Sequence, residues 1–204
     1  MSTMKLHWSP RSPYVRKVMM TAHELGLIDR IEIVRSAAAM TQPNATLMVD
    51  NPLSKIPTLV MEDGTSLFDS IVICEYLNDL AGGALFPREG AAKWQALRWH
   101  ALADGLIDVL ILWRNERDRP APWPAMMEAF EHKTRAALAR LDEECAALAT
   151  APFSIAHVTV SCALGYLDYR FPSLGWRALA PRLAAWHAPM AERKSYLETV
   201  ARDG

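Results

Sequence analysis

The sequence predicts an α/β layer built on a mixed sheet, followed by an all-helical half. Three observations carry that prediction. Strand-like and helix-like runs alternate through the first eighty residues, the order expected of a layered α/β unit rather than a bundle. Ala81-Gly82-Gly83 and Pro87 then punctuate a short stretch that suits neither element. Beyond it the chain is rich in Ala and Leu at helical spacing. The expected organisation is an α/β domain over residues 1–80, a linker over 81–88 and a helical domain over 89–204.

Residues 5–8 read as a strand, and 13–25 as a helix stopped by Gly26. Ser12-Pro13 opens that helix, since serine is a good N-cap and proline at the first helical position gives up an N–H that has no partner there. Residues 31–34 form a second strand, and an irregular crossing follows. Ile56 precedes Pro57, where the trans preference is small, so a cis turn can be held if the fold requires one. Residues 58–61 and 65–68 are short β-prone runs joined by Asp63-Gly64, a strong hairpin signal. Asp69 then stands at a helix N-cap, with Ser70 just inside and Ile73, Leu77 and Leu80 following at helical spacing.

In the second half, residues 94–113 read as one long helix, and three prolines from Pro120 to Pro124 force a loop after it. Residues 126–148 form a second long helix that Ala151-Pro152 ends. A third covers 154–169, and shorter helices are expected over 181–187 and 191–200.

Composition narrows the function classes. With 22 basic against 23 acidic residues, scattered rather than striped, the chain offers a phosphate backbone no landing surface, so nucleic acid is not the expected partner. No apolar run approaches the roughly 18 residues of a spanning helix, and the first ten residues lack an apolar signal core, so no membrane partner is expected. The location inferred is cytoplasmic. Cys74, Cys145 and Cys162 are widely spaced with no C-x-x-C, which speaks against a disulfide framework, a zinc site or a dithiol centre.

Two stretches carry chemistry. Ser12 is an ordinary N-cap, yet its hydroxyl also lies at the positive end of a helix dipole beside unsatisfied N–H groups, where an anion is favoured. Lowering a ligand thiol's pKa by about two units needs about 2.7 kcal/mol of differential stabilisation. One hydroxyl bond to a charged acceptor plus the dipole is of that order. Ser9, at the end of the strand, and Tyr14, just inside the helix, compete for the same role. Arg16 and Lys17 read as a solvated face, with Arg16 able to reach a carboxylate.

The second stretch is residues 51–76, where exposed backbone at a turn and the N–H donors and carboxylate at a helix start can grip a small zwitterion at both ends. An ordinary hairpin and helix is the plainer reading. Elsewhere, His100, Asp104 and Asp108 share one side of a helix but lack a fourth ligand, so a polar stripe is expected and no metal. Trp113 and Trp123 are candidates to line a pocket for an aromatic compound, or to pack. Asp142, Glu143 and Glu144 read as a solvated face.

The runs S-P-R-S-P-Y-V-R-K-V at 9–18, N-P-L-S-K-I-P-T-L at 51–59 and F-D-S-I-V-I-C-E-Y-L at 68–77, in that order before a helical half, resemble the cytosolic glutathione S-transferases. The resemblance implies a thioredoxin-like N-terminal domain that binds glutathione as co-substrate, an all-helical domain that shapes an electrophile pocket, and a homodimer. By motif, Ser12 would hydrogen-bond the glutathione sulfur, the backbone of Ile56 before a cis Pro57 would pair with the cysteinyl part, Asp69 and Ser70 would hold the γ-glutamyl end, and Lys55 would lie near the glycyl end. Relatives that exchange disulfides carry cysteine where this chain has Ser12, so the resemblance favours transfer to small hydrophobic electrophiles. It also admits glutathione-dependent isomerisation or ether cleavage, or a non-catalytic glutathione-binding protein.

Three positions depart from the family pattern. Ser54 replaces a usual glycine, and Asp69 replaces a usual Glu or Gln. His157 takes the acidic place in a helix-capping box with Ser154, where a neutral imidazole can still accept a backbone N–H but brings no carboxylate charge.

Overall fold

A computed structural model describes residues 3–203. The chain folds into two compact units: one runs to Phe86 and takes in everything from Lys194 onward, and the other spans Pro87–Arg193. The sequence assigns residues after Lys194 to the helical half, whereas they pack with the α/β unit.

The first unit is built on four strands, β1 (Met4–Trp8), β2 (Ile31–Arg35), β3 (Thr58–Val60) and β4 (Ser66–Leu67), in the order β2-β1-β3-β4. β2 runs parallel to β1, while β3 is antiparallel to both β1 and β4, so the sheet is mixed as expected. Helices α1 (Pro13–Glu24) and α3 (Ser70–Leu80) pack against each other and bury Val15, Val18, Met20, Ile73 and Leu77 together with Leu6 and Leu59 of the strands. The crossing read as irregular contains a short helix, α2 (Ala45–Asp50), with Asn44 as its N-cap accepting from the Thr46 and Leu47 N–H groups. Six residues are too few for hydrophobic periodicity to register.

Register decides where the candidate motifs meet. His7 pairs with Thr58, so the end of β1 lies beside the start of β3, and Leu67 near the end of β4 pairs back to Leu59. The loop at residues 9–12, the turn at 55–57 and the connection at 68–70 therefore gather at one end of the sheet, beyond the carboxyl end of β1. Open α/β sheets bind ligands in that position.

The second unit contains α4 (Gly90–Arg117), α5 (Pro124–Glu143), α6 (Cys145–Thr150), α7 (Ile155–Arg170), α8 (Trp176–Leu179) and α9 (Pro181–Ala191). Every residue of α7 from Ile155 to Leu167 is buried, which makes it the central helix, with α4 its main neighbour. α4 runs a turn beyond the expected span at each end. The second long helix is broken at Glu144 rather than continuous, because that side chain turns inward to accept the Trp99 indole N–H at 2.7 Å and an Arg98 bond. The Ser154–His157 box closes despite its histidine. Ser154 N–H donates to Nδ1 at 3.2 Å while Nε2 donates to the Leu148 carbonyl at 3.0 Å, an arrangement that only a neutral imidazole satisfies. Among the described residues no helix is long and apolar enough to cross a membrane.

Candidate functional site

Ser12 caps α1 in extended backbone, φ −84° and ψ 119°, and its Oγ accepts the Val15 N–H at 3.2 Å. That bond occupies an oxygen lone pair and leaves the hydroxyl proton free to point outward at an acceptor. No acidic residue stands in the first turn of α1 to repel an anion there. Ser9 plays a turn role instead: its carbonyl accepts the Ser12 N–H at 3.3 Å and its Oγ the Arg11 N–H at 3.4 Å. Tyr14 is half-buried, with the Lys17 ammonium 5.7 Å from its ring centroid. Arg16 and Lys17 are both buried, contrary to the solvated face expected of them. Every residue of α1 from Val15 to Ala22 is buried, so the helix is covered on all sides, and Arg16 lies over the Tyr196 ring.

The Ile56–Pro57 bond is cis, as the fold requirement allowed. Lys55 is exposed and Ile56 half-buried. No group among the described residues hydrogen-bonds the Ile56 backbone. What holds this turn is Asn51, a residue the sequence reading passed over. Buried to 1% exposure, it donates from Nδ2 to the Lys55 carbonyl at 3.2 Å and to Thr58 Oγ1 at 3.0 Å, and its Oδ1 accepts the Leu53 N–H at 3.0 Å. An asparagine opening a Pro-rich turn was the available signal. A second tie comes from β1: His7 bridges Ser36 Oγ at 2.7 Å and Asp50 at 2.9 Å, anchoring the residue that precedes Asn51.

Asp69 is the N-cap of α3, its Oδ1 accepting the Ile71 N–H at 3.0 Å, and it is exposed. Ser70 opens the helix and is buried. One end of the sheet thus brings together an N-cap hydroxyl, unpaired edge backbone before a cis proline, and a second helix N-terminus with a carboxylate beside it. Such a set offers donors for a carboxylate and a thiolate, and acceptors for an ammonium and an amide.

Residues 11–80 match the glutathione S-transferase N-terminal domain family, and 124–188 match its C-terminal domain family. An uncharacterized GST-like protein of Escherichia coli (strain K12), YibF, is 30% identical over 96% of this chain and 98% of its own length. The chain belongs to the glutathione S-transferase family. Among solved relatives of this family member, one from Pseudomonas fluorescens Pf-5 with bound glutathione is 42% identical, covers 98% of this chain and 100% of its own, and superposes with a TM-score of 0.95. A second, from Methylobacillus flagellatus KT with bound glutathione, is 36% identical with a TM-score of 0.87, at 98% and 100% coverage.

Within the helical unit of this glutathione S-transferase family member, Trp113 is buried and stacks on Phe171, with ring centroids 4.7 Å apart. The two rings line a cleft of about 240 Å³ with Arg117, Met127, Glu131 and Leu174. The Trp113 indole N–H has no hydrogen-bond partner among the described residues. Trp123, the other candidate, is exposed at the N-cap of α5. His100 is buried, and its Nδ1 meets Thr159 Oγ1 at 2.9 Å. Among the described residues, no three His, Cys, Asp or Glu side chains cluster to hold a metal.

Proposed function

We propose that the protein is a glutathione transferase that binds glutathione at the end of the sheet and stabilises its thiolate through Ser12. The observation that carries this reading is the convergence of the Ser12 cap with the cis Ile56–Pro57 turn and the start of α3. The open Ile56 backbone suits an extended peptide, and Asp69 with Ser70 suits the ammonium and carboxylate of a γ-glutamyl end. Lys55 is long enough to meet the glycyl carboxylate. The glutathione-bound relatives support the choice of ligand.

In this reading the Ser12 hydroxyl donates to the sulfur while accepting the Val15 N–H, and the helix dipole adds to the same potential. The protein supplies no thiol of its own at that point. Its part is to hold the thiolate where an electrophile can be attacked, and the cleft beside Trp113 within the helical unit is proposed separately as a place for an aromatic compound.

Ser12→Ala is expected to lower kcat/KM toward a small aromatic electrophile about 10- to 100-fold, the loss of one hydrogen bond to a charged group. Unchanged turnover in Ser12→Ala, with loss in Ser9→Ala, would move the role to Ser9. A homodimer is also proposed, and light scattering at the monomer mass would refute it.

A further inference from the structure

The last residues of the chain run back along α1. At the carboxyl end of that helix, Ser195 Oγ donates to Glu24 Oε1 at 2.5 Å. Midway, Arg16 Nη2 donates to the Tyr196 carbonyl at 3.2 Å and Nε to Thr199 Oγ1 at 3.4 Å. In the loop ahead of Ser12, the Arg202 N–H reaches the Pro10 carbonyl at 3.3 Å. The order of these contacts makes residues 194–203 antiparallel to α1 along its whole length.

Arg16 is the centre of this interface. It is 5% exposed, and its guanidinium lies 4.0 Å from the centroid of the Tyr196 ring, itself buried. Its partners are a carbonyl, a hydroxyl and an aromatic face, so these contacts engage two of its five N–H donors without cancelling its charge. The Arg16 N–H also makes the first backbone bond of the helix, to the Ser12 carbonyl at 3.0 Å. Arg16 therefore stands one turn from Ser12 on the same helix face. Bonds within the loop at Ser12 are long, 3.3 and 3.4 Å to Ser9, and the Arg202 contact ties that loop from outside.

We propose that residues 194–203 form a strap that fixes the first turn of α1, with Arg16 and Tyr196 as positioning residues that set Ser12 against the ligand sulfur. The proposal rests on the Ser12 reading above. Two effects point the same way. Holding the hydroxyl in place matters because small displacements of a positioned group are costly to rate. A buried positive charge near the start of α1, with no carboxylate paired to it among the described residues, adds to the dipole that favours a thiolate.

Full-length Tyr196→Ala, Tyr196→Phe and Ser12→Ala are compared with the parent by titrating bound glutathione and following the ultraviolet absorbance of its thiolate. Tyr196→Ala is expected to raise the thiol pKa by about one unit. It should lower kcat/KM about tenfold while glutathione affinity stays within about twofold, since the turn at residues 51–57 and the start of α3 are untouched. Tyr196→Phe keeps a ring over Arg16 and should behave as the parent. A merely structural contact would not separate thiol pKa from affinity in this way. The proposal is overturned if folded Tyr196→Ala leaves the thiol pKa unchanged, or if Tyr196→Phe shifts it as far. Should Tyr196→Ala not fold, Thr199→Val removes one Arg16 acceptor, and a smaller rise of about 0.3 to 0.5 units is expected, no rise overturning the strap. A thiol pKa unmoved by Ser12→Ala means that the Ser12 reading itself fails. A pKa that moves in Ser12→Ala but not in Tyr196→Ala removes the strap alone.

Discussion

Ser54 holds φ at +52°, in the left-handed region that an L side chain enters at a cost of about 1–2 kcal/mol. Its hydroxyl offsets this by accepting the Asn44 N–H at 2.8 Å, a bond worth about 0.5–1.5 kcal/mol net. The two terms nearly cancel, which is how serine serves where the family motif carries glycine. The same bond ties the N-cap of α2 to the turn that leads to Pro57. Ser54→Gly removes both terms and is expected to unfold in urea within about 1 kcal/mol of the parent. Ser54→Ala keeps the strained φ and loses the bond, so it should be about 1 kcal/mol less stable than the parent. An alanine variant as stable as the serine protein would show that the hydroxyl bond contributes nothing.

At the scale of elements, what could be read from the sequence follows the range of the interactions involved. Helices that carry their own start signals, Ser12-Pro13 for α1 and Asp69-Ser70 for α3, begin where those signals stand, and Asp63-Gly64 turns the hairpin between β3 and β4. What distant partners supply was not legible, even where the start of an element, as at Pro181, was. α9 starts at Pro181 with no side-chain cap from Ala180. Its cap comes from α5, where Asp142 accepts the Leu183 N–H at 2.8 Å and Arg182 Nε at 2.9 Å. Asp142 read as solvated because its partners lie 40 and 41 residues away. The site divides in the same manner: Ser12, Pro57 and Ser70 announce themselves locally, but Asn51 matters through a hub of bonds visible only once the turn is closed. Arg16 meets Tyr196 across 180 residues, a pairing that no periodicity encodes.

For the molecule as a whole, several buried or tied groups push stability in one direction with pH. Burial holds the His157 imidazole below its ordinary 6.5, the Arg193 charge adds to this, and the bond to the Leu148 carbonyl offsets only part. Burial pushes Asp142 up, but the Leu183 N–H and Arg182 together outweigh it and leave the carboxyl below its ordinary 3.8. Glu116 is lowered chiefly by the Trp123 N–H, and Glu144 chiefly by Arg98. Each group binds its proton more readily in the unfolded chain, so acidification favours unfolding in every case. The windows differ, because a depressed histidine loses its contribution as pH falls below about 6.5, whereas depressed carboxylates lose theirs only below about 4. The urea midpoint should therefore be flat between about pH 7 and 8, decline through a first step below about 6.5 and fall again below about 4, while the buried Cys145 thiol, pushed up by burial, ends the plateau on the alkaline side. His157→Gln tests the assignment, since an amide oxygen can accept the Ser154 N–H and its NH₂ can donate to the Leu148 carbonyl without titrating. The variant should lose the upper step and keep the lower one, and an upper step of undiminished size would assign it to another histidine.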